Sequence, residues 1–303
     1  MDNLVANFID KRTLSSDMEL NAPLHNAIYC LEKTDELVHQ ACIEHENELS
    51  GNVSWPCMND MYRRNYEYCC GVASTFLLGQ FPSSEALCRT AIEGAVNLHY
   101  VSLGDSMEKQ IAYFKDHLKI ERKQNKNWKE SVQRSKHPQE LKSHHLQRIA
   151  GKYAALDHYE YVLRESLALA GVNFDTVELP WPSTFDRFKE IDDEVGYRTV
   201  YAALCSQAHN DAEDVLNKIM LRAIGNVESM AEAQWVEQYN FSLYFLLMAI
   251  YYHIMATAMY IAKFQITADR LIEISNVVAD SIVMVTKHGP QLVSEKIRIR
   301  ENR

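Results

Sequence analysis

From Phe241 to Ala262 the chain runs 22 residues without one formally charged side chain, and His253 is the only group there that titrates near neutral pH. A helix that long and that apolar either crosses a bilayer or lies inside a bundle of other helices. Tyr244, Tyr251, Tyr252 and Tyr260 are spread along the segment, and Ser242, His253 and Thr257 interrupt it. A membrane span gathers its aromatic residues at the two interfaces. The segment is therefore read as the central helix of a bundle, buried on most sides, and a membrane partner is not expected.

The rest of the chain supports helices almost throughout. Only 10 glycines and 7 prolines occur in 303 residues, which favours long uninterrupted elements. Apolar spacing predicts helices over 21–49, 59–78, 82–103, 105–137, 138–170, 183–194, 196–209, 211–224, 227–265 and 267–287. Pro82 followed by Ser83, Ser84 and Glu85 is a good helix start, Asp105 with Glu108 resembles a capping box, and Pro138 breaks the basic helix. Residues 171–182 form a connector stiffened by Pro180 and Pro182, and Ser183 with Asp186 caps the next helix. No stretch alternates with period two, and no repeat recurs at a fixed period. The expected fold is all-α: a single multi-helix bundle with a long basic helical hairpin at 105–170 and a buried hydrophobic C-terminal helix. Within this one domain, 1–58, 59–225 and 226–303 mark the N-terminal helices, the core and the C-terminal part.

Charge is unevenly spread. The formal net charge of -10 disfavours non-specific attraction to nucleic acid or anionic membrane by the molecule as a whole. Residues 119–152, however, hold ten basic side chains against three acids, a local +7 that leaves -17 for the remainder. Lys119, Arg122, Lys123, Lys126 and Lys129 make this segment a candidate nucleic-acid surface, against the competing reading of a solvated Lys-rich hairpin. Seven cysteines, an odd number, show no CxxC and no metal spacing with histidine. The N-terminal residues lack the basic start and long apolar stretch of a signal peptide, so the cytosol is the expected compartment.

Two polar clusters stand out in this apolar helical text. In the first, Arg89, Glu93 and Asn97 recur every four residues and share a helix face, followed by Tyr100. They form either the solvated side of an amphipathic helix or the wall of a cleft. In the second, Tyr197, Arg198, Tyr201, Ser206, His209 and Asn210 follow one another along a predicted helix before Asp211 begins the next acidic turn. A histidine beside carboxylates serves as a general base, a metal ligand or a helix C-terminal cap.

The order of these residues, Arg89-x3-Glu93-x3-Asn97 and then Tyr197-Arg198-x2-Tyr201-x4-Ser206-x2-His209, resembles a family of bacterial all-helical proteins known only as a domain of unknown function. The resemblance covers about residues 60–215, with Arg89, Glu93, Ser206 and His209 as its hallmark positions. It implies an all-helical fold and a place near microbial defence and toxin systems, and it brings no activity with it. Nucleases of helical toxin systems carry an Arg followed by four to six residues and a His on one helix. No Arg/His pair here has that spacing: nine residues separate Arg89 from His99 and ten separate Arg198 from His209.

Phosphate loops, dinucleotide fingerprints, HExxH, GxSxG and EF-hand loops are all missing from the sequence. Glu36 and His39 have the spacing of a di-metal bundle once, without a second copy. No cofactor is implied, and a divalent metal at Glu93, His209 and Asp211 requires that the two helices touch. Three readings remain. One is a helical binding or regulatory protein whose polar pocket between helices 82–103 and 196–214 takes a small molecule or protein. The second is a nuclease or other hydrolase toxin using His209 with Arg89 and Glu93. The third is a structural homo-oligomer whose clusters are ion pairs.

Overall fold

The computed structural model describes residues 21–207 and 227–292, together with 216 and 219. Nearly all of them are helical, with no strand among the described residues. In chain order the elements are α1 (Ala22–Glu44), α2 (Glu46–Ser50), α3 (Trp55–Leu77), α4 (Phe81–Ser102), α5 (Ser106–Arg134), α6 (Gln139–Leu169), a 3-10 turn (Phe174–Thr176) and α7 (Thr184–Glu190). A single turn α8 (Glu194–Gly196) leads into a π-helical turn (Tyr197–Tyr201) and α9 (Ala202–Gln207), and the long helices α10 (Val227–Lys263) and α11 (Asp269–Leu292) complete the order.

Local chemistry sets the starts of these helices. Asn21 caps α1 by accepting the Leu24 N–H at 3.1 Å, and Asp105 caps α5 by accepting the Glu108 N–H at 3.0 Å. Helices α1, α3 and α4 each carry proline within their first two positions, where its missing N–H costs nothing. The long helix expected over 21–49 divides at His45 into α1 and α2.

The chain divides into two compact units, one built from 1–103 and 184–303, the other from 104–183. The first is organised around α10, which packs against α4, α3, α11 and α1. Tyr239, Leu243, Leu246, Leu247, Ile250, Ile254 and Ile261 of α10 are all buried, as are Ser242, His253 and Thr257 between them. A helix apolar on every side is stable in water only when other helices cover every side. Here the apolar stretch of α10 is 72% buried within the protein, as expected of a bundle's inner helix. Helix α4 is the second inner element: one side meets α3 and α10, and another meets α7, the π turn and α9.

The second unit is the hairpin of α5 and α6 with its connector. Ile111, Leu118, Leu156, Leu167 and Phe174 form its own small core, which is the physical reason it stands as a separate unit. Lys115 Nζ donates to the Val177 carbonyl at 2.6 Å and sits 4.8 Å from the Phe174 ring, tying the connector to α5. Arg164 covers the same ring at 4.5 Å.

Candidate functional site

In the first unit, α4 presents Arg89 and Glu93 one turn apart, and two later segments bring their partners. Tyr201, at the end of the π turn, donates its hydroxyl hydrogen to Glu93 Oε2 at 2.7 Å and accepts from Arg89 Nη2 at 3.1 Å. Arg89 Nε donates to Cys205 Sγ at 3.2 Å, and the guanidinium lies 5.3 Å from the Tyr201 ring. A second guanidinium arrives from α7: Arg187 Nη2 stands 3.8 Å from Glu93 Oε1, while Arg89 Nη2 stands 3.7 Å from Oε2. One carboxylate is thus flanked by two cations, neither in tight bidentate contact with it.

Burial differs across the cluster. The Arg187 side chain is 5% exposed, whereas Arg89 and Glu93 keep 34% and 32% of their side-chain surface open to water. Burial and the bond to Glu93 push the Tyr201 hydroxyl above its ordinary pKa, so it stays a neutral donor. The contact with Cys205 raises the Arg89 pKa further, against the opposing effect of desolvation. The cluster is polar, charged and reachable from solvent.

The chain between α7 and α9 explains how these groups converge. The sequence predicts one regular helix over 196–209, but the Ala202 N–H bonds to the Tyr197 carbonyl five residues back, which widens the turn into a π helix. Tyr197 and Tyr201 remain stacked at 5.5 Å, and the fully buried Phe188 wedges against both rings at 5.5 and 5.6 Å. Asp193 caps the turn by accepting the Gly196 N–H at 2.9 Å, and its other oxygen accepts the Tyr252 hydroxyl from α10. A Cβ at Gly196 would collide with both Tyr252 and Asp193, so the close approach of the turn to α10 requires glycine.

Not every expected residue joins this site. Asn97 lies one turn beyond Glu93, with a buried Oδ1 that takes no hydrogen bond among the described residues. Tyr100 is buried in α4 and belongs to the packed interior. Arg198 points outward: its side chain is 62% exposed, pairs with Glu194 at 3.8 Å and stacks over Phe185. Ser206 is in α9, but its side chain, like His209, Asn210 and Asp211, lies outside the described residues. The metal set of Glu93, His209 and Asp211 falls there too, and no metal-binding group of His, Cys, Asp or Glu occurs among the described residues.

Sequence reading missed Arg187 and Cys205. Each carried a faint local signal: Arg187 sits between Phe185 and Phe188, and Cys205 comes four residues after Tyr201. Neither signal names Arg89 or Glu93 as its partner.

In the second unit, Lys119, Lys123, Lys126 and Lys129 are exposed on α5. Arg122, expected to share their surface, is instead held by Asp157 at 2.9 Å and Glu160 at 2.7 Å, and belongs to the α5–α6 contact.

A family model described as "Family of unknown function (DUF5677)" matches residues 58–222. No curated protein and no solved structure matches the chain. The match takes in α3, α4, the hairpin and α7 to α9, and every residue of the Arg89–Glu93–Arg187–Tyr201–Cys205 cluster lies inside it. Spanning more than half of the sequence, this match places the chain in the DUF5677 family, a family of unknown function.

Proposed function

We propose that the chain is a binding and regulatory protein whose recognition site is the cluster around Glu93, and that its ligand presents an anionic group, a carboxylate or a phosphate. The observation that carries this reading is the pair of guanidiniums sharing one carboxylate at 3.7 and 3.8 Å. Arg187 Nη2 also donates to Thr184 Oγ1 at 3.0 Å, which holds that guanidinium in place beside Glu93, and the planar guanidinium matches carboxylate and phosphate oxygens. Tyr201 supplies a neutral hydroxyl and Cys205 a thiol beside the same guanidinium. One third of the Arg89 and Glu93 side-chain surface is open to water, which gives a ligand access to both groups.

The experiment is thermal unfolding of wild type, Arg89→Ala and Arg89→Lys with inorganic phosphate, acetate, citrate and a nucleoside diphosphate. The expected result is a saturable rise in the wild-type midpoint with at least one of these anions, lost in Arg89→Ala and weakened in Arg89→Lys, which keeps the charge without the fork. If no anion shifts wild type and Arg89→Ala melts several degrees lower, the cluster is a structural ion pair and the reading fails.

A further inference from the structure

The exposed flank of α5 carries a second site, independent of the Glu93 cluster. Lys119, Lys123, Lys126 and Lys129 recur at intervals of four, three and three residues, so they occupy one arc of the helix over about 15 Å at 1.5 Å rise per residue. All four are exposed and take no ion-pair partner among the described residues. Several of the hairpin's acids are engaged by other basic residues. Glu121 is taken by Lys152 at 2.5 Å, Glu130 by Arg134 at 3.4 Å, and Glu160 by Arg122 and Arg164, each at 2.7 Å. Asp157 is held by Arg122 as well. Arg122, Arg134, Lys152 and Arg164 thus engage these acids, and the four lysines outnumber the one further acid within a turn of them on α5, Asp116.

The adjacent helix of the hairpin offers an exposed aromatic group. Tyr161 is 59% exposed and comes four residues after Asp157, hence on the same face of α6. Asp157 in turn meets Arg122, the immediate helical neighbour of Lys119 and Lys126 on α5. A row of flexible ammonium groups beside an open tyrosine ring fits a negatively charged backbone with bases free to stack.

We infer that this flank binds single-stranded nucleic acid through its phosphates, with Tyr161 as a stacking platform and without reading base sequence. Lysines are hydrated point charges that position a backbone, and the guanidinium among them, Arg122, is engaged by Asp157 and Glu160. With -17 on the remainder of the chain, a polyanion is attracted here and repelled elsewhere.

The test is fluorescence anisotropy of the full chain with labelled oligo-dT and oligo-U at about 50 and 200 mM salt, with blunt duplex DNA and polyglutamate as competitors. Expected is saturable binding whose logarithm falls with log salt at a slope of about -3, for about four phosphates on a single strand. Replacing all four lysines (K119Q, K123Q, K126Q, K129Q) weakens it at least tenfold and flattens the slope, while Tyr161→Ala weakens it severalfold with the slope unchanged. Arg89→Ala leaves it intact, which separates this site from the anion site. Binding by the quadruple variant equal to wild type, or the absence of saturable binding at the lower salt, overturns the inference. Polyglutamate competing as well as the oligonucleotide assigns the flank to an acidic protein instead, and equal competition by duplex removes the stacking role of Tyr161.

Discussion

Two polar clusters share the first unit and differ in depth. Around Glu93 the groups are charged, and Arg89 and Glu93 themselves are one third open. A second cluster, between α3 and α10, is neutral at its centre: the Asn65 amide donates to His253 Nδ1 at 3.0 Å, and Tyr62 stacks on the same imidazole at 5.4 Å and donates to the Asp35 carboxylate of α1 at 2.9 Å. Full burial drives the His253 pKa down from its ordinary 6.5 to about 3. Depth decides the role. A fully buried group sheds its charge and specifies which helices pair, whereas a half-open one keeps its charge and can exchange a partner for a ligand. Helix α4 serves both, since Glu93 belongs to one cluster and the adjacent Gly94 is pressed against Asn65 of the other.

The largest expected effect is acid sensitivity of the deep cluster. With a folded pKa of about 3 against 6.5 unfolded, only the unfolded chain gains a proton on this ring as pH falls through that window. His253 stability is therefore full above about pH 6.5 and is lost toward pH 3, at about 1.4 kcal/mol per pH unit. Urea unfolding across this range shows the slope, and it flattens in His253→Leu. An unchanged slope in that variant would move the acid sensitivity to the charged cluster and undo the contrast.

Gly94→Ala comes next. The new methyl group meets the buried Asn65 amide, and overpacking of this kind costs about 2 kcal/mol, read as a lower thermal midpoint. Because the strain falls on the deep cluster, the anion response of wild type survives in the variant.

Tyr201→Phe removes the hydroxyl that bridges Arg89 and Glu93 and costs about 1 kcal/mol of stability. Anion binding falls with it, which a calorimetric titration with the best anion detects. The smallest stability effect belongs to Glu93→Gln, under about 1 kcal/mol for a partly exposed pair. It sharpens the comparison most, because removing the competing carboxylate strengthens anion binding severalfold if the cluster recognises anions. A weakened response would make Glu93 a direct ligand contact instead.

Much of the fold was legible in the sequence, and part of the site. The uncharged run from Phe241 to Ala262 was readable as an inner helix because an all-apolar surface leaves few other options in water. The cap at Asp105, the early proline of α4, and the hairpin ends near Gly104 and Pro138 depend on neighbours within a turn, where sequence and structure are nearly the same information. Arg89 and Glu93 stood out for the same reason, as a four-residue repeat in apolar text.

Tertiary structure decided the rest. Asn65 meets His253 across 188 residues, Tyr201 meets Glu93 across 108, and Arg187 reaches that same carboxylate from a helix of seven residues. The π turn departs from the regular period where Phe188 wedges against Tyr197 and Tyr201 and where Tyr252 holds Asp193. Sequence determined that this protein is helical, because helix formation is governed by contacts within four residues. Only packing determined which polar groups share a site and how deeply each is buried, and burial is what sets their charge and their access to a ligand.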